Sequence, residues 1–316
     1  MKRDNPITST RLLVEFLGLA FGIAWTSALG LFAFDVELQS FTGLVVVVLT
    51  YMWAPAIAAL IVQYRHRGTI HGMGLQLGSI RWILVAWLVP IPLVALVLVI
   101  ALAVPGTEFT TDPIVFLLEL GVSETDAEAA LEALGSIPVP LWMLILIGGL
   151  QAGITINAVA AFGEELGWRG LLLGELAEFG FWKASVVIGV LWGVWHAPII
   201  ALGHNFPDQP MLGIVVMTGA TVALSPLYTY VTVRSRSVLA PSVLHGTFNA
   251  IGPLSIMYVA GSLLVTSPVG IAGIFAATLL VFCCYVHDTV VASTPVMHHD
   301  PIQLWENESA DRTSEL

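Results

Sequence analysis

Charge is what this sequence is short of. Only 10% of its 316 residues are Asp, Glu, Lys or Arg, and 57% are hydrophobic, whereas a soluble domain typically carries about a quarter charged residues. With a mean hydropathy of +0.89, the chain lacks the polar surface that water would solvate, so lipid must be its solvent. Cysteine is scarcer still. Cys283 and Cys284 stand side by side in an apolar run, which gives neither a disulfide framework nor metal-ligand spacing, and packing is the role that suits them. Three kinds of hydrolytic machinery are missing as well. There is no His-Glu-x-x-His zinc helix, no Gly-x-Ser-x-Gly elbow, and no Asp inside the central apolar spans from which to build an aspartyl dyad.

What is present is a series of apolar windows, each near the roughly 20 residues that cross a bilayer as a helix. They cover 12–34, 42–63, 82–104, 140–162, 184–203, 211–233, 238–260 and 264–286, and the fourth can run on past 162. The first is too long and too lightly flanked by small residues for a cleaved signal peptide. The expected fold class is therefore all-α, a polytopic transmembrane bundle of about eight spans. The cations orient it. With the N-terminus inside, Lys2, Arg3, Arg11, Arg65, Arg67, Arg81, Arg169, Lys183, Arg234, Arg236 and Arg312 all fall in cytoplasmic segments or at their edges. The outward segments 35–41, 105–139, 204–210 and 261–263 hold none of them and carry acids instead, Glu108, Asp112, Glu119 and Glu124 among them. This one-sided partition follows the positive-inside rule and places both termini in the cytoplasm. It also supports the helix count, because one span fewer would scatter the cations over both faces.

Residues 1–287 read as a single transmembrane domain and 288–316 as a polar, acidic, disordered cytoplasmic tail. His298 and His299 in that tail read as solvated. In the outward segment 105–139, Ser123 followed three residues later by Asp126 predicts a capped helix lying on the surface. In the first three spans the ionisable residue is Glu15, four residues after Arg11, a spacing that suits a same-face ion pair near the membrane surface.

The second half is where chemistry concentrates. Glu164, Glu165 and Arg169 close the fourth span, His196 lies in the fifth, and His245 with Asn249 lies in the seventh. Ionisable groups inside a membrane cost several kcal/mol unless they face the bundle interior and find partners, which makes them functional candidates. Glu165 and Arg169, four apart, suit an ion pair, while Glu164 is turned about 100° away by the helical period. One carboxylate is thereby neutralised and the other left free, the split that separates a structural acid from a working base. His245 and Asn249 are also four apart and could address one small ligand together. Gly163, Gly167, Gly193 and Gly246 flank these residues and would allow close helix approach.

At these residues the sequence resembles the CPBP family, the intramembrane proteases that include the CAAX prenyl endopeptidase Rce1 and the Abi, or bacteriocin-processing, proteins. The family pattern is EExxxR, then FxxxH, then HxxxN or HxxxD, on successive membrane helices. Glu164, Glu165 and Arg169 meet the first motif, and His245 and Asn249 the third. In the second, Trp192 stands where Phe is usual before His196, so an aromatic is retained. The resemblance covers about 140–287. It implies an intramembrane endopeptidase hydrolysing a peptide bond near the cytoplasmic side of the cell membrane. Glu164 would activate water, with Glu165 and Arg169 holding the acid pair. His196 would position the water, and His245 and Asn249 would stabilise the oxyanion. The family is often described as metalloprotease, and a zinc held by Glu164, His196 and His245 is the alternative to metal-free glutamate chemistry. The implied partners are the lipid bilayer and a peptide or protein substrate, with C-terminal prenylation of the substrate left open, and no nucleic acid.

Two other classes compete. A transporter with a Glu/His relay would also place such groups in the bundle, but no inverted repeat is visible between the halves. A non-catalytic scaffold or immunity protein on the same fold would be marked by erosion of the motifs, and every chemical residue is retained.

Overall fold

The computed structural model describes residues 6–38, 40–112, 114, 117, 123–135, 138–298 and 301–304. Lys2, Arg3, Glu119, His299 and Arg312, which entered the charge and tail readings, lie outside them. The first helix, α1 (Pro6–Ala33), buries one narrow stripe: Leu12, Phe16, Ala20, Ala24, Ala28 and Leu31. The intervals of four and three residues keep these on one helix face. That stripe packs against α2 (Thr42–Arg67), whose Ala54, Ala58, Ala59 and Val62 are fully buried. Alanine on both sides lets the backbones approach closely. This matters in lipid, where helix association depends on van der Waals packing rather than on apolar surface leaving water.

Next come α3 (Ile80–Leu102) and a short surface helix, α4 (Glu124–Gly135). The cap expected for α4 is present: Ser123 Oγ accepts from Asp126 N at 3.2 Å and donates to the Asp126 carboxylate at 2.6 Å. The Arg11–Glu15 pair is also present at 2.9 Å, joined by His66 at 3.1 Å. The chain continues through α5 (Leu141–Gly153) into α6 (Ile156–Glu165), bent by 53° between them. As expected, the helix runs on past 162, through a π-helical stretch, Leu166–Leu172, to Leu176. Then follow α7 (Phe181–Trp195), α8 (Pro210–Ser235), α9 (Leu239–Ile251) and α10 (Ile271–Val286). A two-residue antiparallel pairing, Glu108–Phe109 with Val259–Ala260, is the sheet among the described residues.

Five helices among the described residues are long and apolar enough to cross a bilayer, and the bent α5–α6 pair makes a sixth if it forms one span. The windows expected at 184–203 and 238–260 correspond to broken helices. The first is α7 followed by Ala197–Ala201, and the second is α9 followed by Pro253–Tyr258. Proline accounts for both breaks: Pro198 and Pro253 have no N–H to continue the ladder. A helix in the membrane tolerates such a break only where neighbouring protein satisfies the freed backbone. At the first break the Trp195 carbonyl accepts from Tyr51 Oη at 2.6 Å and from Trp25 Nε1 at 3.1 Å.

The tail corrects the sequence reading. Residues 292–304, so far as they are described, are held against the bundle rather than disordered. Asp288 is fully buried, pairs with Arg234, and accepts the backbone N–H groups of Val296 at 3.0 Å and Met297 at 2.9 Å. Met297, Ile302 and Leu304 are buried, and Ile302 N donates to Ala177 O at 2.9 Å. Average composition hid this. The few apolar residues among the polar ones are placed where they pack, and one buried carboxylate gathers the backbone donors.

Two glycines set the spacing around the second-half bundle. A Cβ at Gly193 on α7 would lie 2.5 Å from Thr218 Cα on α8. One at Gly246 on α9 would lie 2.5 Å from Ala158 N on α6. In both cases the obstacle is backbone, which cannot rotate away. Gly246→Ala is therefore expected to force α9 off α6 and to destabilise the fold by about 1–3 kcal/mol, the usual range for overpacking. Thermal unfolding in detergent measures this, and an unchanged midpoint would contradict the close packing.

Candidate active site

The paired acids end α6, and Arg169 follows in the π-helical stretch. Widened turns of this kind often occur at functional sites. Here the stretch carries an arginine that is fully buried. Arg169 Nη1 lies 3.2 Å from Oε1 and 3.1 Å from Oε2 of Glu165, itself fully buried. The same Oε1 is 2.9 Å from His245 Nδ1 on α9. A carboxylate oxygen only accepts, so the proton in that bond is on Nδ1 and the ring is oriented by Glu165 as a base is by its carboxylate partner.

The guanidinium of Arg169 is enclosed by rings. Its central carbon is 4.5 Å from the ring centroid of Trp192 on α7 and 4.8 Å from that of Tyr228 on α8. Such contacts favour a desolvated cation. They stabilise Arg169 on faces where its Nε and Nη2 have no hydrogen-bond partner among the described residues.

Glu164 is 2% exposed and sits in different surroundings. Its Oε2 accepts from Trp192 Nε1 at 2.7 Å. That partner is neutral, whereas Glu165 is matched by a cation. His196 caps the C-terminal end of α7, with Nδ1 2.8 Å from the Trp192 carbonyl. A carbonyl also only accepts, so Nδ1 carries the proton and, in the neutral ring, Nε2 is left with its lone pair. The Trp192 ring is close to both imidazoles, 5.9 Å from His196 and 5.4 Å from His245 between centroids.

Four of the six side chains expected from the sequence, Glu164, Arg169, His196 and His245, thus meet one indole, and Glu165 joins them through Arg169 and His245. The sixth, Asn249, lies one turn beyond His245 on α9, is exposed, and makes no contact with the buried cluster among those described. Two members of the cluster were not singled out as site residues by sequence reasoning. Trp192 was visible only as an aromatic replacement in the second motif, with nothing to show what its N–H reaches. Tyr228 belongs to no motif and arrives from α8, so no spacing could have found it.

The zinc set fits poorly. Among the described residues no group of three or more His, Cys, Asp or Glu side chains is arranged to hold a metal ion. The hydrogen bonds themselves do not decide the matter: Glu164 accepts from Trp192, and holding Nδ1 of His196 on a carbonyl and of His245 on Glu165 leaves both Nε2 atoms free, as outer partners do for metal-bound imidazoles.

Comparison with known proteins falls on this same region. Residues 139–251 match the family described as type II CAAX prenyl endopeptidase Rce1-like. The chain is also similar to CAAX prenyl protease 2 of Methanococcus maripaludis, with 39% identity over 49 residues, or 15% of this chain. The match spans 18% of that relative's length. The segment that is similar to the Rce1-like family, 139–251, contains Glu164, Glu165, Arg169, His196, His245 and Asn249 and lies within a multi-pass membrane protein.

Proposed function

We propose that this protein is an intramembrane endopeptidase of the CAAX-processing type, with Glu164 as the base that activates water. The observation carrying this reading is the unequal treatment of the two adjacent acids. Glu165 is hydrogen-bonded or paired directly to Arg169 and His245, while the hydrogen bond to Glu164 among the described residues comes from the neutral indole N–H. A carboxylate with no cation of its own is the one free to take a proton.

Water held between Glu164 and His196 Nε2 attacks the scissile carbonyl carbon, and its proton passes to Glu164. His245, charged and matched by Glu165, donates from Nε2 to the oxyanion. Glu164 and Glu165 then balance Arg169 and His245, so the buried quartet is neutral before attack. It stays neutral with the oxyanion included, because Glu164 has become protonated by that stage. The proton on Glu164 passes to the leaving amine as the C–N bond breaks, giving a carboxylate and an amine. Asn249, exposed beside this cluster, contacts the substrate. No step uses a metal.

The catalytic part lies within about 140–287. Eight spans are obtained when the two proline-broken helices and the bent pair each count as one, and the one-sided cations of the sequence support termini and a site towards the cytoplasm. The substrate is a protein or peptide at that face of the cell membrane, with a prenylated C-terminal tail as the class implied by the family. A transporter with a Glu/His relay and a non-catalytic scaffold are the readings this one displaces.

The test is cleavage of a prenylated CAAX reporter by purified protein in lipid, beside its unprenylated twin and with and without a zinc chelator. Cleavage of the prenylated peptide that survives chelation is the expected outcome. Loss on chelation with recovery on added zinc would overturn the metal-free mechanism. No cleavage by folded protein would overturn the substrate class.

A further inference from the structure

Where the CPBP pattern carries Phe, this chain carries Trp192, and the difference has a chemical consequence. Phenylalanine can supply a ring but no donor. The indole supplies both: its face lies 4.5 Å from the Arg169 guanidinium, and its Nε1 donates to Glu164 Oε2 at 2.7 Å. Trp192 is 4% exposed and held on further sides by Tyr228, at 5.4 Å between ring centroids, and by His245. A donor fixed this firmly does not follow the carboxylate; the carboxylate follows it. Its backbone carbonyl also receives His196 Nδ1 at 2.8 Å.

We propose that Trp192 is a positioning residue that pins Oε2 of Glu164 through its N–H, leaving Oε1 as the oxygen that takes the proton from water. The same residue sets the His196 ring through its carbonyl, so one position orients both groups that face the water. This role rests on the protease reading above. It differs from simple packing, for which any ring of suitable size at 192 would serve.

Trp192→Phe separates the two, since it keeps an aromatic ring beside Arg169 and removes only the donor. With the prenylated reporter, kcat is expected to fall about 10- to 100-fold, the effect of one hydrogen bond to a charged group. KM should change less than about twofold, and in a Glu164→Gln background the substitution should have little further effect, because the two act as a unit. A second measurement does not need activity. The chain has 10 tryptophans, and in a ¹⁵N-indole spectrum the Trp192 signal is the one lost in Trp192→Phe. Glu164→Gln, which exchanges a charged acceptor for a neutral one, is expected to move that signal more than any other indole. A Trp192 signal that stays in place overturns the proposal whether or not the protein cleaves. A moved signal with unchanged kcat in Trp192→Phe also overturns the positioning role. If the wild type cleaves no reporter, the protease reading fails and takes the positioning role with it, while the indole shift still reports the hydrogen bond separately.

Discussion

Glu164→Gln is expected to lower cleavage of a prenylated reporter by about 10²- to 10⁴-fold, the range that positioned acid–base groups contribute. The amide is nearly the same size and its oxygen can still accept from Trp192 Nε1, so the side chain should stay where the carboxylate was. It cannot take a proton from water. The replacement leaves the buried quartet one negative charge short, so some loss of stability is expected beside the loss of rate. Initial rates in bilayers, read beside thermal unfolding of the same preparations, decide the matter. Retention of activity within about threefold would mean that another group removes the proton. His196 would then be the next candidate, since its Nε2 lone pair faces away from the Trp192 carbonyl that holds Nδ1.

Most of the residues of the candidate site are legible in the sequence itself. Helical spacing alone separated Glu164 from Glu165 and joined Glu165 to Arg169, and the structure places that ion pair at 3.1 Å. Intramembrane charges are so costly that their positions carry information even in a single sequence. What spacing could not give was contact between distant helices. His245 meets Glu165 across 80 residues of chain, Trp192 meets Glu164 across 28, and Tyr228 covers Arg169 from α8. Asn249 shows the opposite limit. Four residues from His245 it shares a helix face in projection, yet His245 is buried and Asn249 exposed, a difference that spacing along one helix does not carry.

The fold divides in the same way. Long apolar helices such as α1, α2 and α8 stood out, since nothing but lipid or a bundle interior suits them. The helices that carry the chemistry were harder to delimit. α7 and α9 are short and each is followed by a proline break, and α9 is diluted by Ser242, His245, Thr247 and Asn249. The tail failed for a different reason. Its order depends on one buried acid, Asp288, and on a backbone partner at Ala177, neither of which composition registers.

Arg169→Met is expected to have the largest effect on stability of any single change in the site, about 3–5 kcal/mol, because it leaves a buried carboxylate without its cation. Glu165 is fully buried and would retain only His245. Methionine can occupy much of the space between Trp192 and Tyr228, so lost packing is the smaller part of the loss. Arg169→Lys should be intermediate: the charge is kept, but an ammonium lacks the flat faces that the two rings cover. The decisive comparison is the double variant Glu165→Gln/Arg169→Met. It removes both charges, and in denaturant unfolding it should be more stable than Arg169→Met alone, although it lacks one more native side chain. A double variant less stable than the single would mean that Arg169 acts mainly by filling space between the rings. In that case the acid pair would need another explanation for how Glu165 is kept charged and Glu164 free.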